Sequence, residues 1–502
     1  MIDRRIANIL IFLCGACLLS SCASTVRSAG RDYMSPDSLR ARIQAVLDRP
    51  GLSQAAVGVK VVSLRSGVTL FENNADRLFI PASNTKLLTA VSALKTLGAD
   101  YRFSTRLYLD ERFSVSGDTL HSNIYLKGAG DPEFDTEALK ALAVQLGRFD
   151  IRYIAGDVVA DESYLDDVRL GSGWMWDDVQ YDYSAQISAL TINRNCVTVV
   201  VVPGDSANAP VQVSLEPATS YMTLDVQAVT APAGLPDSVR IPLRIRRRWE
   251  DHSNVIVVNG RYPIDTDTLR SVRTVEEPAL YAATLLRDLL KDAGIHATGA
   301  VRKSKMPEET VDIAVHRSEP LPSAVAFVLK DSDNLAAELL VKTLGAHTTG
   351  TPGTVRSGLQ VIRRVMAGAA LDTLLYRQVD GSGLSTYNLI SPRQIIDLLR
   401  FAYRDTTLRT PFLSSLPIAG VDGSLRFRMP SLAASRNLVA KTGTMSGVSC
   451  LSGFVNPGAY EPLAFSIMMN HYIGSSRTAR QAQDEICRIL AAYGRQASLA
   501  RR

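Results

Sequence analysis

The sequence predicts an α+β protein in which a helix-and-sheet core is interrupted by a long β-rich insertion. Three observations predict it. Two strand patterns are followed by a strongly apolar helix pattern over 83–97. Strand-like segments punctuated by Gly, Pro, Asn and Asp fill 101–275, and long helical patterns return from Glu277 onward. At 502 residues the chain exceeds what one core organises, and 46% hydrophobic with 21% charged residues is the balance of a globular chain, neither disordered nor fibrous. The expected organisation is a signal peptide over 1–21, a tether over 22–37, a discontinuous core domain over 38–100 and 276–495, and the insertion over 101–275.

The N-terminus predicts export. Arg4 and Arg5 precede an apolar run from Ile6 to Leu19, shorter than the roughly 20 residues a membrane-spanning helix needs, so a cleaved signal peptide is expected. Leu19-Ser20-Ser21-Cys22 resembles the lipobox of bacterial lipoproteins, which makes Cys22 the candidate lipidation site; an ordinary signal peptide with an incidental Cys22 is the alternative. Residues 25–31 are small and polar, as suits a tether. Beyond Cys22 only Cys196, Cys450 and Cys487 remain, from which no disulfide framework can be read. The cysteines are too widely spaced for a zinc ribbon and the six histidines form no metal-binding pair, so neither metal nor cofactor is expected. A net charge of +5, scattered along the chain, does not point to nucleic acid.

The elements follow in order. Ser38 to Leu47 has helical spacing, and 55–64 with 67–71 reads as two strands around a Ser66-Gly67 turn. Leu87, Leu88, Ala90, Val91, Ala93, Leu94 and Leu97 wrap most of the next helix, which should therefore be central and buried before it stops at Gly98. Within the insertion, 102–109, 196–202 and 241–246 read as strands. Helices are expected over 279–293, 323–329 and 335–344, and the chain from Lys441 reads as strand, strand, then a helix over 478–493.

Three short motifs stand in order: Ser83-Asn84-Thr85-Lys86, Ser332-Asp333-Asn334 and Lys441-Thr442-Gly443. Together they match the active-site set of penicillin-recognising serine enzymes. Residues three apart share a helix face, which brings Lys86 beside the Ser83 hydroxyl; a partly desolvated lysine can then serve as general base. A second Ser-x-x-Lys, Ser92 to Lys95, competes. Nine residues at 100° each place Ser92 opposite Ser83, so both cannot face one site. Ser83 opens the helix, where free N–H groups favour an oxyanion, whereas Ser92 lies mid-helix, where its hydroxyl should bond back to the preceding turn. Ser-x-Asn also recurs at 206–208 and 435–437, but Ser332 lies on a connection between two helices that can project into a cleft, its bland alternative being a helix cap. Lys441, Thr442 and Thr444 offer donors to an anionic end group, and Gly443 should let a substrate backbone approach closely.

With these motifs stand Gly171-Ser172-Gly173-Trp174-Met175-Trp176-Asp177-Asp178, Ser188-Ala189-Leu190 with Asn193-Arg194-Asn195, Asp380-Gly381-Ser382-Gly383-Leu384-Ser385, and Gly420-Val421-Asp422-Gly423-Ser424. On this combination the chain resembles the D-alanyl-D-alanine carboxypeptidase and endopeptidase family of low-molecular-mass class C penicillin-binding proteins. The resemblance implies a transpeptidase/β-lactamase-like domain whose insertion forms two smaller domains. It implies peptidoglycan stem peptides as substrate and β-lactam antibiotics as covalent inhibitors. It implies that Ser83 attacks the D-Ala-D-Ala carbonyl, Lys86 takes its proton, and Ser332 with Lys441 relays protons to the leaving amine. It further implies that Asn334 binds the acyl amide, that the N–H groups of Ser83 and Thr444 form the oxyanion hole, and that Thr442 and Thr444 hold the terminal carboxylate. Asp177 and Asp178 are both candidates for the substrate's diamino side chain. With the leader, a periplasmic enzyme held to a membrane through a lipid on Cys22 is expected.

Two rivals share these motifs. A β-lactamase of class A type needs a deacylating glutamate, and between Asn334 and Lys441 only Glu338 is available, without the usual motif around it. The other is a catalytically silent wall-binding lipoprotein of the same fold, against which the intact motifs argue.

Overall fold

The computed structural model describes residues 34–234, 241–435, 437–456 and 461–499. The expected signal peptide, Cys22 and most of the tether lie outside them. Among the described residues no helix is long and apolar enough to cross a membrane.

The core is a five-stranded antiparallel sheet between two helical layers. Its first part comprises α1 (Pro36–Leu47), β1 (Ala56–Ser63), β2 (Thr69–Asn73) and α2 (Lys86–Leu97). After the insertion come α3 (Asn334–Thr349), α4 (Val355–Gly368), α5 (Pro392–Arg404), β3 (Leu438–Met445), β4 (Val448–Val455), β5 (Leu463–Asn470) and α6 (Arg477–Leu499). The strand order is β2-β1-β5-β4-β3, so the chain's first and last strands pair at the centre, Val59 opposite Ile467. Every residue of β4 and β5 is buried, because both faces of the sheet are covered. One face packs on α1 and α6 through Val59, Val61, Leu451 and Ile467 with Leu39, Ile43, Ile486 and Leu490. The other packs on α2 to α5 through Val62, Phe454, Ala464 and Met468 with Leu87, Val91, Leu340 and Ile396. The C-terminal part thus holds three strands where two were expected.

The helix carrying the first motif is buried along Lys86 to Leu94, as its apolar circumference predicts. It begins later than expected. Ala82–Thr85 forms a tighter 3₁₀ turn and the α-helix proper starts at Lys86, because Ala82 takes a left-handed φ of 46° directly after Pro81. Ser92 is fully buried and its hydroxyl has no hydrogen-bond partner among the described residues, contrary to the expected bond to the preceding turn. Lys95 turns to Asp405, 2.7 Å away.

The insertion builds separate small sheets. One is five-stranded, with Val301–Lys303, Val158–Asp161, Ile124–Gly128, Ser104–Asp110 and Thr310–Arg317 in that order, and a three-stranded sheet centres on Cys196–Val202. The boundary expected at 275 is displaced. The helix Pro278–Asp292 buries Tyr281, Leu285, Leu286 and Leu290 in the insertion's own hydrophobic cluster, and the strand Thr310–Arg317 pairs with Ser104–Asp110. The chain therefore returns to the core domain near Leu321, at the helix Leu321–Ala326. The strand expected over 241–246 starts later and spans Arg244–Arg247.

The insertion docks on α3. Leu165, Ala185, Ile187 and Ala189 form an apolar patch with Leu335 and Leu339, and the buried Lys342 ammonium donates to the Val168 carbonyl at 2.6 Å and pairs with Asp166. On its other side α3 meets α4 at Gly358, where a Cβ would lie 1.9 Å from the Val341 carbonyl oxygen. Gly358→Ala should therefore push α4 off α3 and destabilise the protein by ~1–3 kcal/mol, read as a lower midpoint in thermal or urea unfolding; an unchanged midpoint would contradict this packing.

Candidate active site

The three motifs converge from three elements. Ser83 lies in the 3₁₀ turn ahead of α2, partly exposed, with Lys86 fully buried one turn on. The Lys86 ammonium donates to Ser83 Oγ at 3.0 Å, to the Ser382 carbonyl at 2.7 Å, and to Asn334 Oδ1 through a short hydrogen bond. Burial lowers its pKa to about 8, while the carboxylates of Asp380, Asp333 and Glu338 oppose the shift.

Ser332 reaches the site because the chain turns sharply between helices. Phe327–Asp331 is a wide helical turn, Ser332 takes a left-handed φ of 63°, and α3 begins at Asn334. The cap of α3 is Asp333, whose carboxylate accepts from the Ala336 N–H at 2.7 Å, so the cap alternative falls on its neighbour and the Ser332 hydroxyl is left for the cleft. There it accepts from Lys441 Nζ at 2.8 Å. Lys441 is fully buried on β3, and burial, with the charge of Lys86 adding to it, holds its pKa well below the ordinary lysine value.

Gly443 serves a different contact from the one expected. A Cβ there would lie 2.6 Å from the Pro81 carbonyl oxygen and 3.1 Å from the Ser83 nitrogen. What the glycine admits is the protein's own turn bearing Ser83, which brings β3 against it. Thr442 Oγ1 donates to Ser424 Oγ at 2.7 Å, and Thr444 is exposed beside it.

The insertion supplies part of the wall. The Tyr183 carbonyl accepts from Asn334 Nδ2 at 2.7 Å, and the Tyr183 hydroxyl donates to Asp178 at 2.7 Å, which joins Asp178 to the second motif. Asp177, its neighbour in the turn Trp176–Asp178, is exposed and takes no part in that chain of bonds. Arg194 pairs with Asp333 at 2.6 Å. Tyr183, Arg194, Ser382 and Ser424 are contacts that motif spacing does not reveal; the nearest sequence signal for any of them was the segments quoted beside the motifs.

A model of the D-Ala-D-Ala carboxypeptidase 3 (S13) family matches residues 39–493. The chain belongs to this family. It is similar to a D-alanyl-D-alanine carboxypeptidase of Actinomadura sp. (strain R39), 38% identical over 91% of this chain and 85% of the relative. It is also similar to D-alanyl-D-alanine carboxypeptidase DacB of Haemophilus influenzae, 25% identical over 83% of this chain and 85% of that one. The crystal structure of penicillin binding protein 4 (dacB) from Haemophilus influenzae superposes with a TM-score of 0.78 at 24% identity, covering 90% of this chain and 99% of that one. That likeness establishes the transpeptidase/β-lactamase-like fold with its insertion. Family membership makes the protein a serine peptidase of the penicillin-binding, D-Ala-D-Ala carboxypeptidase type, the activity the motifs led one to expect.

Gly443→Ala is expected to slow labelling by a fluorescent penicillin ~10²-fold, because the added methyl displaces the Ser83 turn by a few tenths of an ångström or more. Wild-type labelling rates in stopped-flow fluorescence would contradict the close approach of β3.

Proposed function

We propose that the protein hydrolyses D-Ala-D-Ala-terminated stem peptides of peptidoglycan through an acyl-enzyme on Ser83, as carboxypeptidase, endopeptidase or both. The observation that carries this reading is the Lys86–Ser83 pair: a fully buried lysine with its nitrogen 3.0 Å from the hydroxyl and its pKa lowered to about 8. Such an amine is neutral in a far larger fraction near pH 7 than an ordinary lysine, and in that form it can take the Ser83 proton as Oγ attacks the penultimate D-Ala carbonyl. The developing oxyanion is received by the N–H groups of Ser83 and Thr444. The Lys441–Ser332 hydrogen bond supports a relay that delivers a proton to the leaving amine, and water then cleaves the ester.

Asn334 is assigned to the acyl amide, and Thr442 and Thr444 to the substrate's terminal carboxylate along the edge of β3. For the diamino side chain the hydrogen bond to Tyr183 favours Asp178 over Asp177 as the carboxylate tied to the site. The leader and Cys22 support export to the periplasm and lipid attachment to a membrane. β-Lactams are expected to acylate Ser83 as substrate analogues. The β-lactamase alternative is disfavoured, because Glu338 is fully buried with its carboxylate committed to the N–H groups of Gly381 and Ser382 and so is not free to activate water.

Fluorescent penicillin should label the wild type and Ser92→Ala covalently and leave Ser83→Ala unlabelled; label on Ser83→Ala would sink the assignment. The labelling rate should rise with pH through about 8, since the base works only once Lys86 has lost its proton. A rate that falls over that range would argue against Lys86 as base. Mass analysis of digests of a monomeric pentapeptide and a crosslinked muropeptide then separates the two peptidase activities, and cleavage of neither would count against the substrate class.

A further inference from the structure

Behind Lys86 lies a loop, Asp380-Gly381-Ser382-Gly383, to which the proposed reaction assigns no role. Asp380 and Ser382 are fully buried. Asp380 Oδ1 accepts from the Gly383 N–H and from Asn388 Nδ2, each at 2.8 Å; its Oδ2 accepts from the Ser385 N–H at 2.8 Å and from the Trp174 indole at 3.1 Å. Glu338, one turn along α3 from Asn334, accepts from the N–H of Gly381 at 3.0 Å and of Ser382 at 2.9 Å. Gly383 has a φ of 81° and a Cβ there would fall 1.9 Å from the Ala82 carbonyl oxygen, which seats the loop directly against the turn bearing Ser83. Two buried carboxylates are thus held in place chiefly by the main chain of one short loop, an arrangement that is costly unless every donor is in place.

The peptide unit between Ser382 and Gly383 has its donor side on Asp380 and its acceptor side on Lys86. A carboxylate on the N–H polarises the unit and makes its carbonyl a stronger acceptor. A neutral lysine amine has two N–H groups and one electron pair. With Asn334 Oδ1 and the Ser382 carbonyl taking the two N–H groups, the electron pair is left for the remaining neighbour, Ser83 Oγ. If the Ser382 carbonyl moved away, the amine could rotate and present an N–H to Ser83 in place of its electron pair.

We propose that Asp380 and Glu338 are positioning residues of acylation: they fix the Ser382 carbonyl on Lys86 and so orient the amine to accept the Ser83 proton. The inference rests on Lys86 being the base. The charged groups facing Lys86 are Asp380, Asp333 and Glu338, which favour its protonated form, with Lys441 across the cleft. Burial, with Asp380 adding to it, raises Glu338 itself to about 7. Removing either anion lowers the lysine's pKa further, so the pH at which the base becomes competent must move down.

The test is the second-order rate of penicillin acylation from pH 5 to 10 for the wild type, Asp380→Asn, Glu338→Gln, Glu338→Leu and Lys86→Met, each checked by thermal unfolding. The acid limb should move down by at least ~0.5 pH unit in Asp380→Asn and Glu338→Gln, and the plateau should fall at least ~10-fold in Asp380→Asn. Glu338→Gln keeps an oxygen for both N–H groups and so reports the lost charge alone, whereas Glu338→Leu removes their acceptor and should lower the plateau at least ~10-fold, which decides the matter should Asp380→Asn fail to fold. A limb that stays in place, or a plateau at the wild-type value in both Asp380→Asn and Glu338→Leu, overturns the inference: the first marks a merely structural role, the second a charge effect with no bearing on orientation. Wild-type acylation by Lys86→Met would instead overturn the assignment of the base itself.

Discussion

The site depends on burying one lysine. Lys86 has no contact with solvent, and an ammonium so placed is tolerated only when its hydrogens are all accepted. Its three partners come from three parts of the chain: Ser83 one turn away, Asn334 at the start of α3, and the Ser382 carbonyl. Satisfying that one nitrogen brings the first two motifs and the loop at 380–383 to a common point. The same burial lowers the lysine's pKa to about 8, so the requirement that organises the site also makes the lysine a usable base.

The third motif reaches this centre by close backbone packing. β3 lies against the Ser83 turn because Gly443 has no side chain, and Lys441 then meets Ser332. Two lysines are thereby buried near each other, and each disfavours charge on the other. An adjacent pair that readily exists with one amine neutral suits a reaction that removes a proton from one serine and delivers one to a leaving amine.

The insertion is part of this machinery. Its Tyr183 carbonyl holds Asn334, its Arg194 pairs with Asp333, and its Trp174 donates to Asp380. The apolar patch around Leu165 and Ile187 on α3 anchors these contacts. Each of the three reaches a residue beside Lys86 or its loop, so the insertion bears on the chemistry as well as on the wall of the cleft.

The sequence by itself determined what rests on local periodicity: the buried helix after Ser83, the face shared by Ser83 and Lys86, the rejection of Ser92, the β-rich texture of the insertion, and the three motifs in order. Spacing along one helix is a geometric statement, so it survives folding. Tertiary structure alone decided the rest. The helix Pro278–Asp292 reads as a return to the core domain, yet it stays with the insertion, since an apolar stripe does not reveal which core it will fill. Gly443 reads as room for substrate and is room for the Ser83 turn, because the close approach joins strands and turns far apart in sequence. The Ser382 carbonyl could not be found from the residue type, since a main-chain oxygen is common to all residues and gains a role only from where folding places it.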